Sequence, residues 1–530
     1  NTDGYSRQRV NFETMPAYPV PGMNRSGTPG QMGTGVEIGS VQRIRDQFLD
    51  IQYRAENSRS GYWTARSEAL SRMEELLNEP SDSGLSKTMD QFWQSLQDLA
   101  VNPENSGARS VVAQRGLAVA ETFNHLSKTL HSIQDDLKSQ IEEGDVKTAN
   151  SLLHQIHNIN TQIRKIEPHG MLANDLYDDR DRLIDELSKI VNIKVTRDDS
   201  SESAPDNAGG VLSIELVDAE GHSIEVGDTE KIVLLDGHGD YEDEYFDGLI
   251  SVGINGAVNS ISIKDGEQNA EGNSNEMIEN LTLDTFLQST GSLAGLIEAH
   301  GYGTDGTEGP QGEYPKMIEQ LDEMAKVFAE SFNEIHENGY NLSDREDEQG
   351  NKMNTDQSFF TSIGDSDSIT AGSITVLKDI LDDPNLIAAA VAEPSEGQDG
   401  EGDEEGSDED NKAVAGNGAN AQALANIFSS IPHDSEGNPL LDGKTINGYY
   451  ESLIGGLGVQ AQKANRMTNN TEVLLSQVDH QRMSISAVSL DEEMSNMIKF
   501  QHAYNAAARN MTAIDEMIDR IINNMGLVGR

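Results

Sequence analysis

The sequence predicts a mainly α, elongated, multidomain chain, with a long antiparallel helical bundle built from its N- and C-terminal parts and β-rich inserts in the middle. Three observations carry this expectation. Apolar residues recur every three or four positions over residues 41–190 and again towards the C-terminus, the period of a helix face. Between about 197 and 282 that period gives way to short β-branched runs separated by Gly, Asp and Asn. Hydrophobic residues make up 35% and aromatics 5% of 530 residues, a supply suited to thin helical layers. A chain of this length exceeds what one core fills, about 250–300 residues, so at least two cores are expected.

The elements follow in order. Residues 41–78 open on Val41, Ile44, Phe48 and Ile51 and stop before Pro80, whose ring disfavours helix in the residue ahead of it. A shorter helix from Leu85 ends at Asn102-Pro103. Over 105–143 Val112, Val119, Phe123, Leu126, Leu130, Ile133, Leu137 and Ile141 mark a helix about 57 Å long. Gly144-Asp145 is expected to break it before Val146, Leu153, Ile156 and Ile163 resume the stripe up to Pro168. Leu172, Leu176, Leu183, Leu187 and Ile190 carry the next helix. Short breaks between long stripes describe antiparallel neighbours.

Strands are expected at 211–217, 231–235, 249–254 and 261–263, and a further one at 373–377. Helix returns over 283–300, 317–338 and 412–483. Residues 393–411 hold ten acids and no base among Gly, too few apolar groups to order themselves, and read as a mobile loop. The expected domains are a terminal coiled-coil region (1–40 with 484–530) and a long helical bundle (41–196, 283–340 and 412–483). An acidic β-rich insert (197–282) and a second small insert with the acidic loop (341–411) complete them.

Charge narrows the function classes. The net charge of −53 sits in the middle: residues 198–280 carry 21 acids against Lys231 and Lys264, a balance of −19. Such acidity argues against a nucleic-acid partner. A solvated surface suited to salt or alkali is the plain account, with a specific cation store as the alternative. No run of about eighteen apolar residues suits a membrane span, and no basic-then-apolar leader opens the chain. With no cysteine, disulfides, thiolate metal sites and Cys nucleophiles are excluded.

The clearest pattern lies at the C-terminus. Steps of four and three from Leu490 reach Met494, Met497, Gln501, Tyr504, Ala508, Met511, Asp515, Ile518, Ile522 and Met525, and nine of these eleven positions are apolar or aromatic. That is a coiled-coil seam, which needs a partner helix because an isolated helix is marginal in water. Residues 1–40, interrupted by Pro16, Pro19, Pro21 and Pro29, offer no matching stripe. The partner is another chain or a segment absent from this sequence.

Catalytic patterns fail on context. Gly301-Tyr302-Gly303-Thr304-Asp305-Gly306 fits G-x-G-x-x-G, but a helix precedes it where a strand is needed. Gly437 and Gly443-Lys444-Thr445 stand one residue out of Walker spacing. His154 and His157, with His125 and His131, lack the carboxylate pattern of a metal site and read as surface or groove residues. The run 401–410 lacks EF-hand spacing, and no G-x-S-x-G elbow occurs. No catalytic residue, metal or cofactor is assigned.

Several segments are recognisable in themselves. Asn1-Thr2-Asp3-Gly4-Tyr5-Ser6-Arg7-Gln8 resembles the segment after the N-terminal helix of flagellar rod, hook and hook-associated proteins. Asn78-Glu79-Pro80-Ser81-Asp82-Ser83-Gly84-Leu85-Ser86 is narrower and resembles the hook-associated protein 1 family. Ala173-Asn174-Asp175-Leu176 with Arg180-Asp181, Gly291-Ser292-Leu293-Ala294-Gly295-Leu296, Asn333-Glu334-Ile335-His336 and Val488-Ser489-Leu490-Asp491-Glu492-Glu493-Met494 match the same family in order.

The resemblance implies a structural, non-enzymatic axial protein of the bacterial flagellum, forming the junction layer between hook and filament. Its implied partners are further copies of itself, hook protein, the second junction protein (hook-associated protein 3), and a flagellar export chaperone with the export apparatus. Nucleic acid and membrane are not among them. The implied location is extracellular, reached by the flagellar type III route without a cleaved signal peptide. Leu490, Met494, Met497, Tyr504, Ala508, Met511, Ile518, Ile522 and Met525 would form the inner packing seam. Asn1, Thr2, Gly4, Tyr5, Ser6, Arg7 and Gln8 would form the connection from inner to outer shell. Family members carry a helix of roughly thirty residues ahead of this motif, so the sequence, which starts inside the motif, reads as a fragment lacking the seam's partner. Another axial protein, or an enzyme or adhesin carried on the 198–280 insert, are the competing readings.

Overall fold

The computed structural model describes residues 4–15, 35–77, 84–224, 226, 231–264, 278, 281–303, 309–342, 357–364, 368–391, 416–434 and 436–524. The Pro80 turn, the acidic run 393–411, Asn1, Thr2 and Met525 lie outside them.

The chain opens with two strands, β1 (Gln8–Thr14) and β2 (Val36–Arg43), paired antiparallel with a bulge between Asn11 and Phe12. This ribbon replaces the start of the helix expected at 41, so α1 (Gln47–Leu76) begins later, capped by Asp46, whose carboxylate accepts from the Phe48 N–H. The α2 helix (Leu85–Val101) follows, and α3 (Ser106–Ser139) starts from Asn105, whose side chain accepts from two backbone amides.

The expected break at Gly144 does not occur. Residues Gln140–Val146 form a π-helical turn that passes directly into α4 (Lys147–Ile166). Glycine in a helix interior costs only about 1 kcal/mol, too little to stop a helix whose Ile141 and Val146 are buried. Residues 106–166 therefore run on as one helical strut of about 90 Å. Gly170 (φ +78°) ends it, and α5 (Asn174–Ile190) returns along α4.

The insert begins with the antiparallel sheet β3 (Ile193–Asp198), β4 (Val211–Leu216) and β5 (Ile232–Leu235). A single helical turn, α6 (Asp243–Phe246), leads to the hairpin β6 (Ile250–Asn255) and β7 (Ala257–Ile263). Buried Glu167 fastens the insert to the end of the strut, accepting from the Tyr177 and Ser200 hydroxyls and, at 2.9 Å, from the Gly210 N–H.

The helix expected over 283–300 is split into α7 (Leu283–Phe286) and α8 (Ser292–His300) by Gly291, φ +124°. A Cβ on Gly291 would stand 2.2 Å from the Ile190 carbonyl oxygen. The α9 helix (Glu313–Glu337) follows, then the small pair β8 (Phe360–Ser362) and β9 (Ile374–Val376), α10 (Lys378–Asp382) and α11 (Ala419–Asn426). The stretch between α11 and residue 446, which contains Pro432 and Pro439, interrupts the helix expected over 412–483. Two long helices close the chain: α12 (Ile446–Ser486) and α13 (Leu490–Asn524).

Packing centres on α1, which lies along α12, α5 and α8. Glycines permit the close approaches: a Cβ on Gly61 would meet the Lys189 carbonyl oxygen at 2.2 Å, and one on Gly295 the Tyr62 carbonyl oxygen at 2.6 Å. Farther along, fully buried Phe92 meets Phe328, Phe332, Phe359, Phe360 and Phe428 with ring centroids 5.4 to 6.4 Å apart, edge-on or tilted as ring quadrupoles prefer. Among the described residues most of the buried apolar side chains form one cluster running from the bundle into the insert, where chain length alone led to at least two cores. The unbroken strut supplies the continuity, and only Ile163, Ala173 and Tyr177 make a separate small cluster at its end.

Candidate functional site

The two chain ends meet at a joint of arginines and aspartates. Helix α5 presents Asp178, Asp181 and Asp185, spaced three and four apart and so on one face. Arg43, the last residue of β2, donates to Asp178 at 2.7 Å and Asp181 at 2.9 Å, and lies 4.9 Å from the Tyr177 ring. Arg45 reaches Asp50 at 2.6 Å and Asp181 at 3.2 Å. From α1, Arg54 reaches Asp185 at 2.9 Å and Asp181 at 3.3 Å. From α12, Arg482 donates to Asp185 at 2.5 Å and stacks 3.8 Å over the Tyr53 ring.

Burial alone would raise the Asp181 pKa, but Arg45, Arg43 and Arg54 outweigh it and hold the carboxyl well below the usual range. For Arg180 burial wins: its pKa is lowered to about 10 despite Asp181 beside it. Its guanidinium donates to Asn160 and the Gly210 carbonyl.

The N-terminal motif threads this joint. Gly4 adopts φ +78° beside Arg182, a conformation that favours glycine. Tyr5 is exposed, whereas Ser6 is buried, with its hydroxyl 2.7 Å and its amide 3.1 Å from the Asp178 carboxylate. Arg7 donates its amide to the Ser486 carbonyl and its guanidinium to Glu492, and its own carbonyl accepts from Ile44. It thus touches both sides of the break between α12 and α13. Gln8 opens β1 opposite Arg43.

Beyond that break α13 stands clear. All its described side chains are exposed except the half-buried Asn496. Leu490 is 76% exposed, Tyr504 75%, Met511 73% and Ile522 72%, and Met494, Met497, Ala508 and Ile518 are exposed with them. Leaving so many large apolar groups in water along one helix marks an interaction face.

The histidines singled out from the sequence sit apart from this joint. His154 bonds Asp243 at 3.1 Å and stacks on Phe246, and His157 is buried against Tyr241 and Phe246. His131 bonds the Ser127 carbonyl oxygen. Gly301 follows α8 at φ +109°, and residues 304–308 lie outside the described chain. Among the described residues no three His, Asp or Glu side chains are grouped to hold a metal.

Comparison with known proteins places this arrangement. Residues 70–353 match the family model of the flagellar hook-associated protein FlgK helical domain. The flagellar hook-associated protein 1 of Bacillus subtilis is 43% identical over 537 aligned residues, covering 100% of this chain and 94% of that protein. The chain belongs to the flagellar hook-associated protein 1 family. Its C-terminal residues 480–525 also match the model of the flagellar basal body rod FlgEFG protein C-terminal segment, so α13 lies in a stretch with wider axial relatives. The hook-associated proteins 1 of Salmonella typhimurium and Escherichia coli K12 are 24% and 25% identical, each aligned over 99% of this chain and 94% of the relative. The flagellar hook junction protein FlgK from Burkholderia pseudomallei, 14% identical, matches with a TM-score of 0.54 over 83% of this chain and 100% of that one, a likeness of fold.

As a member of the hook-associated protein 1 family, the chain is a structural component of the flagellum. Among the described residues no helix is long and apolar enough to cross a membrane. Sequence reasoning missed Arg43, Arg45, Arg54 and Arg482 as a set. The i, i+3, i+7 spacing of Asp178, Asp181 and Asp185 opposite the apolar stripe of the same helix marks an acidic face on α5, but it does not identify the arginines that meet it.

Proposed function

We propose that this chain forms the layer joining hook to filament, with α13 as its inner packing helix and the Arg–Asp joint fixing where that helix leaves the bundle. The observation that carries the reading is the contrast between α13, whose apolar side chains are uncovered, and α12 just before it, whose Tyr449, Leu457 and Ala461 are buried. A junction layer must meet two lattices of different stiffness. A rigid bundle carrying an uncovered apolar helix can serve both, because the bundle keeps its shape while the helix finds partners on assembly.

In this reading Leu490, Met494, Met497, Tyr504, Ala508, Met511, Ile518, Ile522 and Met525 are the seam, and Asn1, Thr2, Gly4, Tyr5, Ser6, Arg7 and Gln8 the connection to it. The β-rich insert would lie on the outer side of the layer. The partners are other copies of the chain, hook protein and hook-associated protein 3, with an export chaperone and the flagellar type III apparatus delivering the chain unprocessed to the cell exterior. No catalytic role is assigned. Deleting the gene tests the reading: the expected outcome is hooks without filaments and monomeric flagellin shed into the medium, and normal filaments would overturn it.

A further inference from the structure

Beside the Arg–Asp joint lies a cavity of about 290 Å³, walled by the end of β2, the first turns of α1, α5, β3 and the turn at 207–209. Five arginines line it, Arg43, Arg45, Arg54, Arg180 and Arg197, against two acids, Asp50 and Asp181, in a chain of net −53. Three of the five are already paired. Arg43, Arg45 and Arg54 share Asp181, and each has a further carboxylate in Asp178, Asp50 or Asp185 respectively. Among the described residues Arg180 and Arg197 hold only neutral acceptors. Arg180 donates Nη1 to the Asn160 side-chain oxygen at 2.8 Å and to the Gly210 carbonyl at 2.7 Å. The residue is 2% exposed, and its Nε meets no acceptor. Arg197 donates to the Ala208 carbonyl and is exposed, at the rim of the cavity.

Both guanidinium groups are thus pinned to one turn, residues 208–210, and a Cβ on Gly210 would stand 3.3 Å from the Arg197 Nε. Glu167, the buried acid that also holds this turn, is engaged by the Tyr177 and Ser200 hydroxyls and the Gly210 amide. A cation buried without its own carboxylate is costly, and a bound anion removes that cost. We propose that this cavity binds a small tetrahedral dianion, inorganic phosphate or sulfate, against Arg180 and Arg197. A guanidinium fork matches a pair of oxygens. A carboxylate has one such pair, whereas a tetrahedral dianion offers one to each of two forks. The volume falls just below the range of about 300–1,000 Å³ usual for organic ligands, which suits an ion with its waters. Bound there, the ion ties the β1–β2 ribbon, the bundle and the insert together at one point. The site stands independently of the junction reading.

Calorimetric titration of the full chain with sodium phosphate, sodium sulfate and sodium acetate, at ionic strength matched with sodium chloride, tests this. The expected result is one phosphate or sulfate bound per chain, far weaker binding of acetate, and a melting temperature that rises with phosphate concentration. Arg197→Gln, which keeps a donor for the Ala208 carbonyl, is expected to weaken phosphate binding about tenfold. Arg182→Gln, at an exposed arginine of α5 outside the cavity, should leave it unchanged. A second measurement needs no variant: phosphate should slow phenylglyoxal modification of Arg197, read by mass spectrometry, and not that of Arg182. Absence of phosphate-specific binding, undiminished binding by Arg197→Gln, or equal labelling of Arg197 with and without phosphate overturns the site. Acetate binding as tightly as phosphate overturns the assignment to a dianion. Each of these failures leaves the junction reading intact, because the gene deletion tests that separately.

Discussion

The Arg7 guanidinium donates to the Glu492 carboxylate across 2.6 Å, joining residues 485 positions apart in the sequence. The same residue holds the Ser486 carbonyl through its backbone amide. One amino acid at the start of the chain therefore clasps the last turn of α12 and the first of α13.

That clasp is more directional than stabilising. Both side chains are partly exposed, so the ion pair contributes at most about 1 kcal/mol to folding. Arg7→Glu is expected to leave the melting temperature nearly unchanged while raising hydrogen exchange over residues 486–494 and weakening filament attachment. Arg7→Glu combined with Glu492→Arg should restore attachment, counted as filaments per cell.

Asp181 carries the heavier load. Replacing it with Asn leaves Arg43, Arg45 and Arg54 close together without their shared counter-charge, and chemical denaturation should show a loss of about 3–5 kcal/mol. Its folded pKa is depressed, so its contribution is fully present above the unfolded carboxylate value of about 3.9 and fades as pH falls through the folded value. The variant's stability curve should lack that acid-side portion.

Close helix packing predicts a different kind of sensitivity. Gly295→Ala brings a methyl group to 2.6 Å from the Tyr62 carbonyl oxygen, and α8 must back away from α1. A cost of about 1–3 kcal/mol is expected from thermal unfolding, with far-UV circular dichroism unchanged below the transition.

His157 should give the insert a pH dependence. Burial, then Arg164 and His154, lower its pKa against the opposing pull of Asp240 and Asp243. The unfolded chain therefore takes up the proton first as pH falls, so stability present above the unfolded value of about 6.5 is lost as pH drops through the folded one. His157→Phe, which keeps an aromatic ring against Tyr241, should flatten the unfolding free energy measured between pH 7 and 5.

What the sequence made legible follows from how local each feature is. The repeats that define α3 and α13, and the β-branched runs of β4 to β7, lie within single elements and were readable residue by residue. The β1–β2 ribbon was not, because its strands are separated by a proline-rich stretch and its register is set by pairing such as Phe12 with Ile38. The Arg–Asp joint draws on β2, α1, α5 and α12, and no one-dimensional period encodes that convergence. At Gly144 propensity pointed to a stop, and the buried neighbours Ile141 and Val146 overrode it.

The π-helical turn at Gln140–Val146 acts as a phase adjuster. One additional residue in a turn rotates everything after it by about 100°. Before the turn, α3 faces α2, α8 and α9; after it, α4 faces α5, β4 and β5. A single strut thereby serves two different sets of neighbours, so its indexing, more than its length, couples the bundle to the insert. Deleting Glu143 would leave a regular helix whose second half points the wrong way, with Ile156 and Ile163 turned from the side chains that now cover them.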